Sequence, residues 1–355
     1  MSDAAARRDP VLDIGRGVAM VLIVLGHVTR GLAAGEELDP SRTWYVKLDA
    51  ALYVLHLPLF VLLSGAFVAR AATRDGTAAY LRSRLVLLAW LFVVWTVIQG
   101  AVQLAPGRLV NTPISWRDIL AGLWHPLGEL WFLPTLAVLT VVTVLVAPWR
   151  SPGRRWALLA VAAAVSLLDW GHFGHWSGIQ GMGLAVWYVL GVVVGHARLQ
   201  AVAHDRRAAP AALVAVAGLV ALFVVTTPVN PSDSTVPRTP DGIGAGVLAV
   251  VLGLALSCGV ARLVAASPLR EALAGLGRRS LEVFLAHIAF ASGCRIALTH
   301  LGVDSLPVLI GAGLLVGLGG SLLLVAITDR VGPRWLFAPP AFLRRPGATA
   351  AAAPA

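Results

Sequence analysis

Ten runs of about 20 mostly apolar residues follow one another along this chain, and each is long enough to cross a bilayer as a helix. They lie at about 11–30, 48–69, 83–104, 129–147, 155–171, 179–197, 209–227, 243–266, 280–299 and 306–328. In hydrocarbon every backbone N–H and C=O must find its partner inside the protein, and a helix does this within one segment. The predicted fold class is therefore all-α: a polytopic integral membrane protein of about ten transmembrane helices. Only 13% of the 355 residues are charged, against about 25% in soluble domains. Most of the surface must face something other than water.

The arginines set the orientation. Arg7 and Arg8 precede the first run. Arg70, Arg74, Arg82 and Arg84 follow the second, Arg150, Arg154 and Arg155 the fourth, and Arg198, Arg206 and Arg207 the sixth. Arg270, Arg278 and Arg279 follow the eighth, and Arg330, Arg334, Arg344 and Arg345 follow the tenth. The other gaps hold most of the acids, among them Glu36, Glu37, Asp39 and Asp233. Cationic gaps stay in the cytoplasm, so both termini are expected there, in a multi-pass protein of the plasma membrane. The expected organisation is a cytoplasmic N-terminus over 1–10, a transmembrane domain over 11–337 and a disordered cytoplasmic tail over 338–355. The first run is expected to stay uncleaved, because Asp13 and Arg16 interrupt its start. The net charge of +10 lies in short gaps rather than in a patch interleaved with aromatics, so the expected partner is the lipid bilayer and not nucleic acid. Residues 228–241 hold too much proline for a helix, and 113–125 has an amphipathic pattern that suits the outer interface. Cys258 and Cys294 fall inside apolar runs and form no metal motif, and no metal is expected.

The polar residues inside the runs narrow the function. In Leu12–Thr29, Asp13 and Arg16 are one turn apart. Arg16 and His27 lie on nearly one stripe of a helix, about 16 Å apart along its axis. Ionisable groups at membrane depth are costly and commonly mark function; the bland alternative is a polar seam between helices. His56 sits mid-run with Pro58 after it, either presented to a cavity or hydrogen-bonded to a neighbouring helix. A kink is expected at Pro58, and Pro134 repeats the device. Glu129 opens the fourth run, solvated at the outer surface or lining the mouth of a cavity. Glu282 and His287 both lie in the ninth run and point to an internal polar site. Arg82 and Arg84 at the start of the third run read either as ordinary anchoring or as a cradle for an anionic head such as a phosphate.

Taken together these motifs resemble the membrane acyltransferase 3 family, in the branch of fucose 4-O-acetylase-like proteins. LDIGRGVAMVLIVLGHV resembles the family's first-helix pattern of a cation and, later, a histidine, met here by Arg16 and His27. HLPLFVLLSG, Arg82-Ser-Arg84, LWFL at 130–133 and GRRSLEVFLAH at 277–287 resemble four more of its motifs, over residues 11 to about 337. Leucine at 57 and 61–63 departs from relatives that often carry Met or Phe, which touches packing alone.

The resemblance implies transfer of an acyl group, usually acetyl, from a thioester to a hydroxyl, usually of a sugar. The expected donor is cytoplasmic acyl-CoA, and acetyl-CoA in the simplest case. A carbohydrate, glycolipid or small molecule is the expected acceptor. On this basis His27 is expected to be the general base. Arg16 is expected to orient the donor, held by Asp13, while Arg82 and Arg84 attract the CoA phosphates. His56, Glu129, Glu282 and His287 are expected to shape the cavity or bind the acceptor. The competing class is a transporter or exporter of a lipid-linked sugar or small metabolite, which would also place ionisable residues in kinked helices.

Overall fold

The computed structural model describes residues 10–104, 114–172, 174 and 176–343. Arg7, Arg8, Arg344, Arg345, His175 and the first residue of the 113–125 segment therefore lie outside the described residues. The described residues are mostly helical and hold no strand. The helices are α1 (Val11–Ala34), α2 (Thr43–Gly65), α3 (Val68–Asp75), α4 (Thr77–Leu104), α5 (Trp116–Ala121), α6 (Phe132–Val146) and α7 (Pro152–Asp169). They continue with α8 (Ala185–His204), α9 (Ala208–Val225), α10 (Pro240–Ala265), α11 (Arg270–Arg278), α12 (Ser280–His300) and α13 (Leu306–Val331).

Among the described residues, nine stretches are long and apolar enough to cross a membrane. They are α1, α2 running on into α3, α4, α6 with the 3-10 turn before it, α8 with its own leading turn, α9, α10, α12 and α13. The fifth apolar run of the sequence is α7, whose 18 residues include Arg154, Arg155 and Asp169. Its outward face nevertheless carries Trp156, Val161, Leu167 and Leu168, all exposed. A protein that leaves such side chains outside is covered by lipid, and the chain is a multi-pass membrane protein.

The bundle is centred on α1, which packs against α2, α8, α10, α11, α12 and α13. Within their most apolar stretches 72% of α1 and 78% of α2–α3 is buried, against 22% of α9. The first two membrane helices are thus the interior, and the later ones present Leu and Val to lipid. Close approach at the start of α1 needs glycine. A Cβ on Gly17 would overlap the carbonyl of Leu273, and one on Gly277 would overlap that of Asp13. The short helix α11, inside a gap that the arginine pattern leaves unstructured, is locked onto α1 in this way.

Two expectations about proline divide. α2 runs unbroken through Pro58 to Gly65. Pro134 is no kink device: it falls in the first turn of α6, after the 3-10 turn Gly128–Trp131, where a helix needs no N–H from that residue. The real interruption is in α8, where Gly195 takes φ 74°, a conformation open to glycine. Residues 226–239 form no helix, as their prolines require, but they are not a loose loop. Val229, Asn230 and Ser232 are buried, and Trp170 Nε1 donates to Val229 O at 2.8 Å. In the other gap, α5 exposes Trp116 and Leu120, with Ser115 and Asp118 joined at its start.

The last described segment folds back. Trp90 and Trp95 of α4 donate their indole N–H groups to the carbonyls of Trp335 and Leu336, at 2.7 and 2.8 Å. Residues 338–343 extend this segment and include the 3-10 turn Ala341–Leu343, so the stretch from 338 is not wholly unstructured.

Candidate active site

Three imidazoles meet where α1, α2 and α12 converge. Gly26 makes the crossing of α1 and α2 possible: a Cβ there would stand 3.3 Å from Tyr53 and 3.6 Å from His56. Without that methyl, the rings of Tyr53 and His56 lie against α1 beside His27. Tyr53 and His56 pack edge to face with centroids 4.7 Å apart, and His27 and Tyr53 stand 6.4 Å apart. From the other side, His287 of α12 brings its ring to 5.1 Å from that of His27. His56 and His287 are fully buried, and His27 is half-buried beside them.

The tautomer of His287 follows from its neighbours. Its Nδ1 lies 2.7 Å from the carbonyl of Phe284 and 3.2 Å from that of Val283. A carbonyl only accepts, so Nδ1 carries the proton, and Nε2 of the neutral ring is left as an acceptor. That Nε2 is buried with no hydrogen-bond partner among the described residues. Phe284, Phe60 and Phe132 form an aromatic wall next to it, with centroids 5.3 to 6.4 Å apart. Among the described residues no group of three His, Cys, Asp or Glu side chains is placed to hold a metal ion.

At the Arg30 end of α1 stands a set of charges that motif reading passed over. Arg30 Nε and Nη2 donate to the two oxygens of Asp49, at 2.6 and 2.9 Å. Nη1 donates to Asp233 Oδ2 at 2.5 Å and Nη2 to the Asp233 carbonyl at 3.1 Å. The guanidinium also stacks on Tyr53, 3.5 Å from the ring centre. Asp49 is fully buried and accepts a further bond from Thr235 at 3.1 Å. The signal was present in the sequence. Arg30 follows His27 by one turn and Asp49 precedes His56 by two, so each shares a face with a histidine.

At the opposite end of α1, Asp13 and Arg16 are both buried and face one another at 3.8 Å. Arg16 Nη2 donates to the carbonyl of Leu63 at 3.2 Å, and its guanidinium lies 4.7 Å from the ring of Phe67. Phe67 stacks on His196, which contacts Arg70 at 3.0 Å. The predicted stripe along α1 is therefore real in geometry, with a cation at one end and an imidazole about 16 Å further on.

The remaining predicted residues do not gather in one place. Arg82 is exposed and Arg84 half-buried near the start of α4, since two residues on a helix point to different sides. Glu129 is buried rather than solvated, and Gln99 donates to it at 2.6 Å. Gln99 also donates to the carbonyl of Leu285 at 3.0 Å, which ties Glu129 to α12 two residues before His287. Glu282 is separate from His287. It pairs with Arg279 at 3.2 Å, and Arg279 pairs with Asp329 of α13. Five positions on a helix turn the two side chains about 140° apart.

Comparison with known proteins identifies the family. The model of the acyltransferase domain family known as acyltransferase 3 matches residues 9–326, nearly the whole chain. The chain belongs to this family. The family is one of acyltransferase domains, so the match supports the acyltransferase reading over the transporter one. Two curated relatives are nodulation proteins NolL. The one from Sinorhizobium fredii is 26% identical over 171 residues, which cover 47% of this chain and 44% of the relative. The one from Mesorhizobium japonicum is 24% identical over 164 residues, covering 45% and 41%. The chain thus matches less than half the length of either. No solved structure matches it.

Proposed function

We propose that the chain is an integral-membrane O-acyltransferase that carries an acyl group, acetyl in the simplest case, from cytoplasmic acyl-CoA to a hydroxyl of a carbohydrate or related acceptor. The observation that carries this reading is His27, partly exposed, set against the buried His287, His56 and Tyr53. The arginine-rich gaps support a plasma-membrane protein of ten spans, α7 included, with its transmembrane domain over 11–337 and both termini in the cytoplasm. The Asp13–Arg16 end of α1 then faces the cytoplasm, and His27 lies toward the other side.

In this scheme the thioester arm enters past Arg16, while Arg82 and Arg84 hold the CoA phosphates as charge-assisted hydrogen-bond donors. His27 takes the proton of the acceptor hydroxyl as its oxygen attacks the thioester carbonyl carbon. The carbon–sulfur bond breaks, and the departing thiolate takes up the proton. His287 Nε2 offers a fixed acceptor beside His27, either for the His27 N–H or for the acceptor hydroxyl. His56 and Tyr53 form the wall behind. Buried Glu129, supported by Gln99, contributes to the acceptor side, and Glu282 serves the bundle through Arg279.

The test has two parts. Mass spectrometry of glycans, lipids and metabolites from cells with and without the gene identifies the acceptor as the species that loses an acyl mass. His27→Ala protein, shown to be folded in membranes, is then supplied with acetyl-CoA and that acceptor, and CoA release is followed. Release should fall to background, and full turnover would reject His27 as the base.

A further inference from the structure

Arg30 meets three parts of the fold at once. It stands one turn beyond His27 on α1. Its Nε and Nη2 grip both oxygens of Asp49 on α2. Its Nη1 reaches Asp233 in the 226–239 segment, and its face covers Tyr53 at 3.5 Å. A guanidinium held at its edge by two carboxylates and on its face by a ring has one orientation, unlike an ammonium on a flexible stem.

The two carboxylates differ. The side chain of Asp49 is 0% exposed, that of Arg30 19% and that of Asp233 33%. Asp49 is the enclosed partner, and Asp233 is the one nearer the surface. The segment bearing Asp233 is itself stiffened. Asn230 Oδ1 accepts the backbone N–H groups of Ser232 and Asp233, and Asn230 Nδ2 donates to the Asp233 carbonyl at 2.8 Å. Thr235 of the same segment donates to Asp49. The segment is thus tied directly to the helix that supplies Tyr53 and His56 through Thr235, and to α1 through Asp233 and Arg30. A buried pair of this kind adds little to stability compared with apolar residues of similar shape, so geometry is the better reason for it.

We propose that Arg30 is a positioning residue of the transfer reaction: clamped between Asp49 and Asp233, it sets the Tyr53 wall against His27 and holds the 226–239 segment shut at that end of the histidine cluster. The proposal rests on the reading of the cluster as the place of acyl transfer. Asp233 is the latch, and an acceptor arriving from that end enters as it lets go.

The test uses the full-length protein in lipid nanodiscs and four variants: Arg30→Gln, Arg30→Lys, Asp233→Asn and the paired apolar change Arg30→Met/Asp49→Leu. Hydrogen–deuterium exchange of 226–239 is read by mass spectrometry, acetyl-CoA affinity by titration, and turnover by CoA release with the acceptor found above. Asp233→Asn should speed exchange in the segment several-fold and alter KM for the acceptor more than kcat. Acetyl-CoA affinity should stay within about twofold in all four variants, because the clamp lies at the far end of α1. Arg30→Gln should lower kcat at least about tenfold, with partial rescue in Arg30→Lys, which keeps the charge and loses the fork. Unchanged exchange in Asp233→Asn, or wild-type turnover in Arg30→Gln or in folded Arg30→Met/Asp49→Leu protein, would overturn the proposal. If instead His27→Ala keeps its turnover while Arg30→Gln loses it, the base assignment fails and the positioning role stands.

Discussion

His27 and His287 stand ring to ring, 5.1 Å between centroids, although they lie near opposite ends of the chain. α1 and α12 run side by side, and the backbone of Phe284 fixes which nitrogen of His287 faces the cluster as an acceptor.

His287→Ala should therefore impair acyl transfer without unfolding the bundle, because the hydrogen bonds of the side chain run to its own helix. A loss of about 10- to 100-fold in kcat is expected, smaller than the 10²- to 10⁴-fold typical of removing a general base, as in His27→Ala. CoA release from folded protein measures both. A larger loss in His287→Ala than in His27→Ala would reverse the two roles.

The pair Asp13 and Arg16 should behave as a unit. Removing one partner from a buried pair costs about 3–5 kcal/mol because the other is left uncompensated. Arg16→Gln should accordingly lower the detergent-phase unfolding temperature more than Asp13→Asn/Arg16→Gln does. Differential scanning fluorimetry reads this directly, and equal destabilisation would separate the two residues.

For the donor, Arg84 should matter more than Arg82, since Arg84 is half-buried and Arg82 is exposed. Loss of one charge-assisted contact to phosphate is worth about 1.5–3 kcal/mol, or roughly tenfold or more in acetyl-CoA affinity. Arg84→Gln should show that loss and Arg82→Gln a smaller, salt-sensitive one. Unchanged affinity in both would leave them as anchors at the membrane surface.

The α1–α11 contact makes a steric prediction. Gly17→Ala or Gly277→Ala drives a methyl into a facing backbone carbonyl and should cost about 1–3 kcal/mol, as overpacking does. Gly293→Ala on α12 is the control, since nothing lies within 4 Å of its Cβ. Thermal unfolding should move down for the first two and hold or rise for the third.

Nine of the ten runs were legible as spans because apolar length is a local property of a sequence; the fifth run, α7, is a helix that stands outside those nine. The α1 stripe was legible too, since a helix fixes where Asp13, Arg16 and His27 fall relative to one another. The clamp was not. Arg30, Asp49 and Asp233 sit on three segments, and Asp233 lies in a proline-rich stretch that local patterning marks only as non-helical. Glu282 and His287, about 140° apart on one helix, need not face each other by spacing alone; that Arg279 claims the first was not legible. Glu129 stood open between water and the mouth of a cavity, and a 3-10 turn buries it against Gln99.

The meeting of α1 with α11, α12 and α13 has a consequence for how this protein is made. A ribosome delivers α1 and α2, with two of the three imidazoles, long before α12 brings the third. On the proposed reading of the histidine cluster, the site is therefore complete only once α12 has been inserted. The turn at 266–269, between α10 and α11, marks a natural place to divide the chain. Two halves expressed together from that point would regain activity only by rebuilding the interface along α1.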